Sequence, residues 1–121
     1  MKKIEAIIKE ERLEAVKKGL EEKGFIGLTV TQVSGRGQQR GIFLQWRVGV
    51  YRVDLLPKIK VEVVVSDKDC PTVIGIISEA GRTGTIGDGM IFVLPVEQIY
   101  RVRTGESGES VLVQNEGQRL E

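Results

Sequence analysis

The chain contains no histidine and a single cysteine, Cys70. These two shortages exclude the common reactive sets, because a zinc site of Cys and His ligands, a Ser–His–Asp triad and a Cys–His pair all need residues that are missing here. One cysteine also leaves no intramolecular disulfide framework, so a reducing, cytoplasmic compartment is expected. Charge of one sign is equally scarce. The 18 Lys and Arg against 17 Asp and Glu give a formal net charge of +1, which supplies neither a basic field for nucleic acid nor an acidic tail. No long hydrophobic run occurs. The apolar stretch in MKKIEAIIKEER is short, is broken by Glu5 and is followed by no small-residue cleavage site. It reads as neither a signal peptide nor a membrane span.

What is there suits one globular domain: 121 residues, 40% apolar and 29% charged. Ile4, Ala6 and Ile8 alternate with Lys3 and Glu5, which predicts a first strand. From Glu11 the period changes to that of a helix, with Leu13, Val16 and Leu20 on one stripe and Gly24 placed as its C-terminal cap. Ile26, Leu28 and Val30 alternate with Gly27, Thr29 and Thr31, a second strand running towards Gly35. Ile59, Val61, Val63 and Val65 form the clearest strand. Asp69 and Pro71 mark a helix start, Val73, Ile74, Ile77 and Ala80 give its stripe, and Gly81 its stop. A strand follows from Met90 to about Leu94, with Pro95 at an edge or bend, and Ile99 to Val102 reads as a further short strand. From Thr104 the chain is polar, and a loosely held tail over 105–121 is expected.

The order β-α-β, long loop, β-α-β predicts an α+β fold. It is the ferredoxin-like double β-α-β unit, an antiparallel sheet with two helices on one face and a long loop (37–57) between strands 2 and 3 of a domain spanning 1–104. Ile7 and Val64 place apolar groups on the other face. Identical neighbours in a closed cyclic assembly would cover them.

The stretch GRGQQRGIFLQWRVGVYRVDLLPK, residues 35–58, reads as a connection without secondary structure of its own, which in a compact domain is usually a binding element. Its content of aromatic and β-branched residues argues against disorder. Two glycine-rich loops lie at strand ends, Gly35–Gly41 and Thr83–Gly89. Such loops let backbone N–H groups approach an anion, or simply make tight turns that need φ > 0. Arg101 and Arg103, alternating along the expected last strand, suit phosphate as planar forks or stand as a solvated edge. Lys58 and Gln39 flank the loop. The pair suits a carboxylate or Mg²⁺, while a solvated strand start is the plainer account of Lys58.

The sequence resembles the PII family of nitrogen-regulatory signal transduction proteins over about residues 1–104. The resemblance rests on MKKIEAIIK, LTVTQVSGRGQQRG, YRVDLLPKIKVEVVV, TGTIGDGMIFV and RVRTGE, together with the spacing between them. It implies a homotrimer with adenine-nucleotide sites between subunits, where ATP and ADP compete and ATP with Mg²⁺ admits 2-oxoglutarate at the base of the long loop, the T-loop. By position, the nucleotide would be held by Ile7, Thr29, Gly35, Gly37, Gln38, Gln39, Glu62, Val64, Gly87, Asp88, Gly89, Arg101 and Arg103. Gln39 would bind Mg²⁺, and 2-oxoglutarate would meet Gln39, Arg40, Gly41, Lys58 and Gly87. Phe43, Trp46, Arg47 and Tyr51 would belong to the partner-binding loop. Tyr51 falls where many bacterial members are uridylylated, and Arg47 where a related member enters an ammonium channel.

Met90 and Gln38 stand where the family usually carries basic residues. Losing two phosphate-facing cations weakens triphosphate binding more than diphosphate binding, and Arg40 compensates in part. The function implied is a sensor of ATP/ADP and 2-oxoglutarate that regulates nitrogen metabolism through target proteins, an ammonium transporter or a metabolic enzyme, with no nucleic acid bound and no insertion into a membrane. A divergent adenylate sensor for ADP or AMP, unresponsive to 2-oxoglutarate, is the alternative. A ferredoxin-like RNA-binding module would need exposed aromatics on its central strands, where this chain has Val, Ile, Lys and Glu. No base–nucleophile pair accompanies Asp54, Glu62 and Asp88, so the chain is not expected to be an enzyme.

Overall fold

A computed structural model describes residues 1–37, 42–46, 49–53 and 55–112, with the backbone alone for 42–46 and 49–53. The elements are β1 (Lys2–Ile8), α1 (Leu13–Glu22), β2 (Thr29–Gly35), β3 (Ile42–Trp46), β4 (Gly49–Val53), β5 (Leu56–Val65), α2 (Cys70–Gly81) and β6 (Met90–Pro95). Short 3₁₀ turns occupy Glu10–Arg12, Asp67–Asp69 and Glu109–Leu112. The main sheet has the order β2-β5-β1-β6, every neighbour antiparallel. Strands β1 and β2 therefore run parallel with β5 between them, as do β5 and β6 across β1. This is the expected ferredoxin-like α+β arrangement.

Alternation puts one face of the sheet into the core. Ile4, Ala6 and Ile8 of β1 and Ile59, Val61, Val63 and Val65 of β5 pack with Val16 and Leu20 of α1 and Val73 and Ile77 of α2. Each large aliphatic side chain buried there contributes roughly 1.5–3 kcal/mol. Helix α1 stops at the expected glycine. Gly24 has φ of 88°, its N–H donates to Glu21 O at 2.9 Å, and the Phe25 N–H donates to Leu20 O at 2.9 Å. These are the two bonds of a Schellman cap, and they turn Phe25 back onto the core.

Four expectations are corrected. First, residues 35–58 are not free of secondary structure: β3 and β4 form a separate two-stranded sheet, with Ile42 opposite Val53 and Leu44 opposite Tyr51. The β-branched and aromatic residues that argued against disorder are also strong strand formers, and pairing satisfies their backbone groups locally. Second, β2 begins at Thr29 rather than Ile26. It is an edge strand, mostly exposed, so alternation in its lead-in carries little burial. Third, Ile99–Val102 is no strand. Tyr100 and Ser107 make one isolated bridge, and the Arg101 N–H donates to Glu106 O while the Gly105 N–H donates to Arg101 O, both at 2.8 Å. That is a turn with Gly105 at φ of 76°. Fourth, residues 107–112, expected to be loosely held, are fixed by this bridge and the last 3₁₀ turn.

The other sheet face carries an ion ladder. Lys3 Nζ lies 3.0 Å from Glu5 Oε1 and 3.1 Å from Glu62 Oε2, and Lys60 Nζ lies 3.4 Å from Glu62 Oε1. Ile7 and Val64 beside it are half-buried, while Met90 and Phe92 of the edge strand β6 are exposed. Among the described residues no helix is long and apolar enough to cross a membrane.

Candidate functional site

The sheet order brings four chain segments to one end of the molecule. Strand β2 finishes at Gly35, opposite Leu56 at the start of β5, so the long loop leaves and returns on neighbouring strands. Two residues on, Lys58 pairs with Val33. Its side chain is buried, 8% exposed, and Nζ donates to Gly87 O at 2.6 Å. A buried lysine needs such a partner. The same bond ties the root of the long loop to the second glycine-rich loop.

That second loop, 82–89, closes on Asp88. Its Oδ2 accepts the N–H groups of Thr83 at 3.0 Å and Gly84 at 2.9 Å, and Oδ1 accepts the Thr83 hydroxyl. Lys9, just past β1, adds its ammonium 3.4 Å from Asp88 Oδ1. The hydrogen bond from Thr83 leads the effects that hold the Asp88 carboxyl far below its ordinary 3.8, with the backbone donors and Lys9 adding to it. A depressed folded value means the carboxylate's contribution is complete above about pH 4 and is lost as pH falls below the ordinary value towards the folded one. A carboxyl-carbon NMR titration is expected to place the Asp88 midpoint below 3.8; a midpoint at or above that value would show the loop open.

Gly84, Gly87 and Gly89 have φ of 83°, 97° and 96°. Gly89 runs against β1, where a Cβ would stand 1.7 Å from Ile7 O. Gly84 faces open space, so the backbone there can be approached by a ligand. Behind the loop a cleft of ≈ 380 Å³ is bounded by Ile7, Ser78, Arg82, Asp88, Gly89 and Met90, among others. Met90, the first residue after the loop, is 57% exposed.

A second cleft, of ≈ 320 Å³, opens beside β2. Thr29, Glu62 and Val64 line it together with Lys3, Phe25 and Leu112. Thr29 is the direct cross-strand partner of Glu62. The hydrogen bond from Lys3 holds the Glu62 carboxyl below the usual carboxylate range, which keeps it an acceptor.

The structure thus assembles Gly35, Lys58, Ile7 and the Gly87–Gly89 triad at one end, and Thr29, Glu62 and Val64 in a second cleft that shares no lining residue with the first. Gly37 lies exposed beyond β2. Arg101 and Arg103 line neither cleft. Arg101 sits at the turn instead of on a strand, its Nη2 donating to Val111 O at 3.2 Å, and its Nε is buried with no hydrogen-bond partner among the described residues. Such an orphan donor calls for an explanation. Gln38, Gln39, Arg40, Gly41 and Arg47 lie outside the described residues, as do the side chains of Phe43, Trp46 and Tyr51. Among the described residues no cluster of His, Cys, Asp and Glu suits a metal ion.

Sequence reasoning missed Lys9, Thr83 and Thr85, and the closing of the second cleft by Val111 and Leu112. A threonine–glycine–threonine run ahead of an aspartate was the available signal for the first group. The second had only a short apolar patch inside a polar tail.

The family model described as nitrogen regulatory protein P-II matches residues 1–106. The chain is 52% identical to nitrogen regulatory protein P-II 2 of Methanothermobacter thermautotrophicus over 112 residues, 93% of this chain and 97% of that one. It is 53% identical over 108 residues to nitrogen regulatory protein P-II of Rhizobium meliloti, covering 89% and 96%, and 52% identical over 108 residues to that of Azospirillum brasilense, with the same shares. A double β-α-β sheet, its long connection rooted beside the Thr83–Gly89 loop, and identity of this extent lead to one conclusion: the chain belongs to the nitrogen regulatory protein P-II family.

Proposed function

We propose that this protein senses ATP, ADP and 2-oxoglutarate and passes the state of that site to target proteins through the long loop, without catalysing a reaction of its own. The observation that carries the reading is the tie from buried Lys58 to Gly87 O, because it couples the glycine-rich loop to the root of the 35–58 segment. A nucleotide's phosphates would lie along Gly87, Asp88 and Gly89, where left-handed glycines keep side chains away from the backbone. Gly37, Gln38 and Gln39 would meet the same phosphates from the other loop, and Gly35 and Ile7 would lie on the base and ribose side. Thr29, Glu62 and Val64 would take the base and ribose, with the ionised Glu62 accepting an amino or hydroxyl proton.

Arg101 and Arg103 would reach phosphates of an adjoining subunit in a homotrimer. Mg²⁺ would accompany the nucleotide on Gln39, and 2-oxoglutarate would put a carboxylate on Lys58, whose ammonium has donors beyond the one given to Gly87, with Arg40 and Gly41 nearby in sequence. Phe43, Trp46, Arg47 and Tyr51 would present the target-binding surface, and Tyr51 a site of modification. The place of action would be the cytoplasm.

Calorimetry tests this directly. ATP and ADP are expected to bind the isolated protein competitively, and 2-oxoglutarate only when Mg-ATP is present. Absence of 2-oxoglutarate binding at saturating Mg-ATP would leave the alternative of an ADP or AMP sensor. Met90 favours that alternative, since the loop exits into an exposed thioether and not a cation. An adenylate affinity order with ADP or AMP well ahead of ATP would decide for it.

A further inference from the structure

We propose that Lys9 is a positioning residue for the Thr83–Gly89 loop: its ammonium closes the loop on Asp88 and cancels that carboxylate's charge beside the phosphate cradle. The second half of this statement rests on the nucleotide reading above; the first does not.

The geometry gives the ammonium two hydroxyl acceptors and a carboxylate beside it. Lys9 Nζ donates to Thr83 Oγ1 at 2.9 Å and to Thr85 Oγ1 at 2.6 Å, and lies 3.4 Å from Asp88 Oδ1. Only a cation with three donors on one atom serves three oxygens gathered so closely. The Lys9 side chain is 20% exposed and Asp88 28%, so the pair is partly shielded from solvent and from salt. Thr83 is the hub. Its hydroxyl accepts from Lys9 and from the Thr85 N–H at 3.3 Å, and donates to Asp88.

Asp88 sits between Gly87 and Gly89, where an anionic ligand is proposed. An uncompensated carboxylate at that point would repel each added phosphate charge. With Lys9 beside it and two backbone N–H groups on its other oxygen, the carboxylate is turned into its own loop and neutralised. Lys9 therefore acts through Asp88 and the loop backbone. Nothing in the spacing of β1 announces this, because Lys9 follows the last buried residue of the strand and lies 74 residues from Thr83.

The test uses the full chain carrying Lys9→Met, with Lys9→Gln as a second variant that keeps donors but no charge. Amide hydrogen exchange at Gly84, whose N–H is held by Asp88, is expected to quicken about tenfold in both. Affinity is expected to fall in proportion to ligand charge, by about tenfold for ATP, less for ADP and least for AMP. A loss equal for all three would mean a general loosening and would overturn the electrostatic role. Gly84 exchange within about twofold of the parent protein would overturn the clamp. If the parent binds no adenylate, the nucleotide reading fails by itself, and Gly84 exchange alone decides for or against Lys9.

Discussion

Replacing Gly89 with alanine is expected to cost the protein most of its stability. The new Cβ would stand 1.7 Å from Ile7 O and 2.8 Å from Ile7 C, and these are backbone atoms of a central strand. Neither side can retreat. Met90, the next residue, pairs with Ile7 in the β1–β6 ladder, and β1 is held on its other side by β5. To the clash is added the strain of an L side chain at φ of +96°, itself about 1–2 kcal/mol. The sum exceeds ~3 kcal/mol, at the large end of single substitutions, and should lower the melting temperature by on the order of 10 °C or leave the variant insoluble. Gly84→Ala is the matched control. Its φ is also left-handed, +83°, but nothing stands within 4 Å of the added atom, so only the torsional cost of about 1–2 kcal/mol applies. Equal melting of the two variants would contradict the close approach of the loop to β1.

Lys58→Met is expected to reduce 2-oxoglutarate binding by between about 10- and 100-fold, the worth of a charge-assisted hydrogen bond. Adenylate binding should fall far less. Methionine matches the lysine stem in length, and the site is 8% exposed, so the fold should tolerate it. What is lost is the ammonium, and with it the bond to Gly87 O. Calorimetry with 2-oxoglutarate at saturating Mg-ATP reads the effect. Unchanged affinity would reject Lys58 as the carboxylate's partner, whereas equal losses of adenylate and 2-oxoglutarate would show that the residue only holds the loop.

How much of this was legible beforehand follows from where burial is strong. Strands β1 and β5 are central, each flanked on both sides, and their period-two pattern has a single physical reading; β1 was expected where it occurs, and β5 from Ile59 to Val65, although it begins at Leu56. Helix α2 was expected to stop at Gly81, and it does. Edge elements were read less well. Strand β2 is largely exposed, so its alternation placed the start three residues early. Residues 99–102 alternate without forming a ladder, since only Tyr100 finds a partner across the turn.

The hairpin within 35–58 was missed for a different reason. Aromatic and β-branched residues signal both a binding surface and a strand, and only pairing tells the two apart. The candidate site divides along the same line. The glycines of 83–89 stood out by composition and Lys58 only through the family resemblance, since its pattern alone read as a solvated strand start and the structure buries it; the Lys9 clamp depends on contacts between distant parts of the chain that no local pattern records.

The two roots of the long segment, Gly35 and Leu56, are rungs of one ladder, while among the described residues β3 and β4 pair only with each other. The segment is therefore attached like an exchangeable head on a fixed shaft. Its tip can be rewritten, lengthened or transplanted between relatives at little thermodynamic cost to the body, because closing a loop whose ends already meet adds only a slowly growing entropy term. A scaffold joined in this way can carry a different tip while the sheet and helices beneath it stay the same.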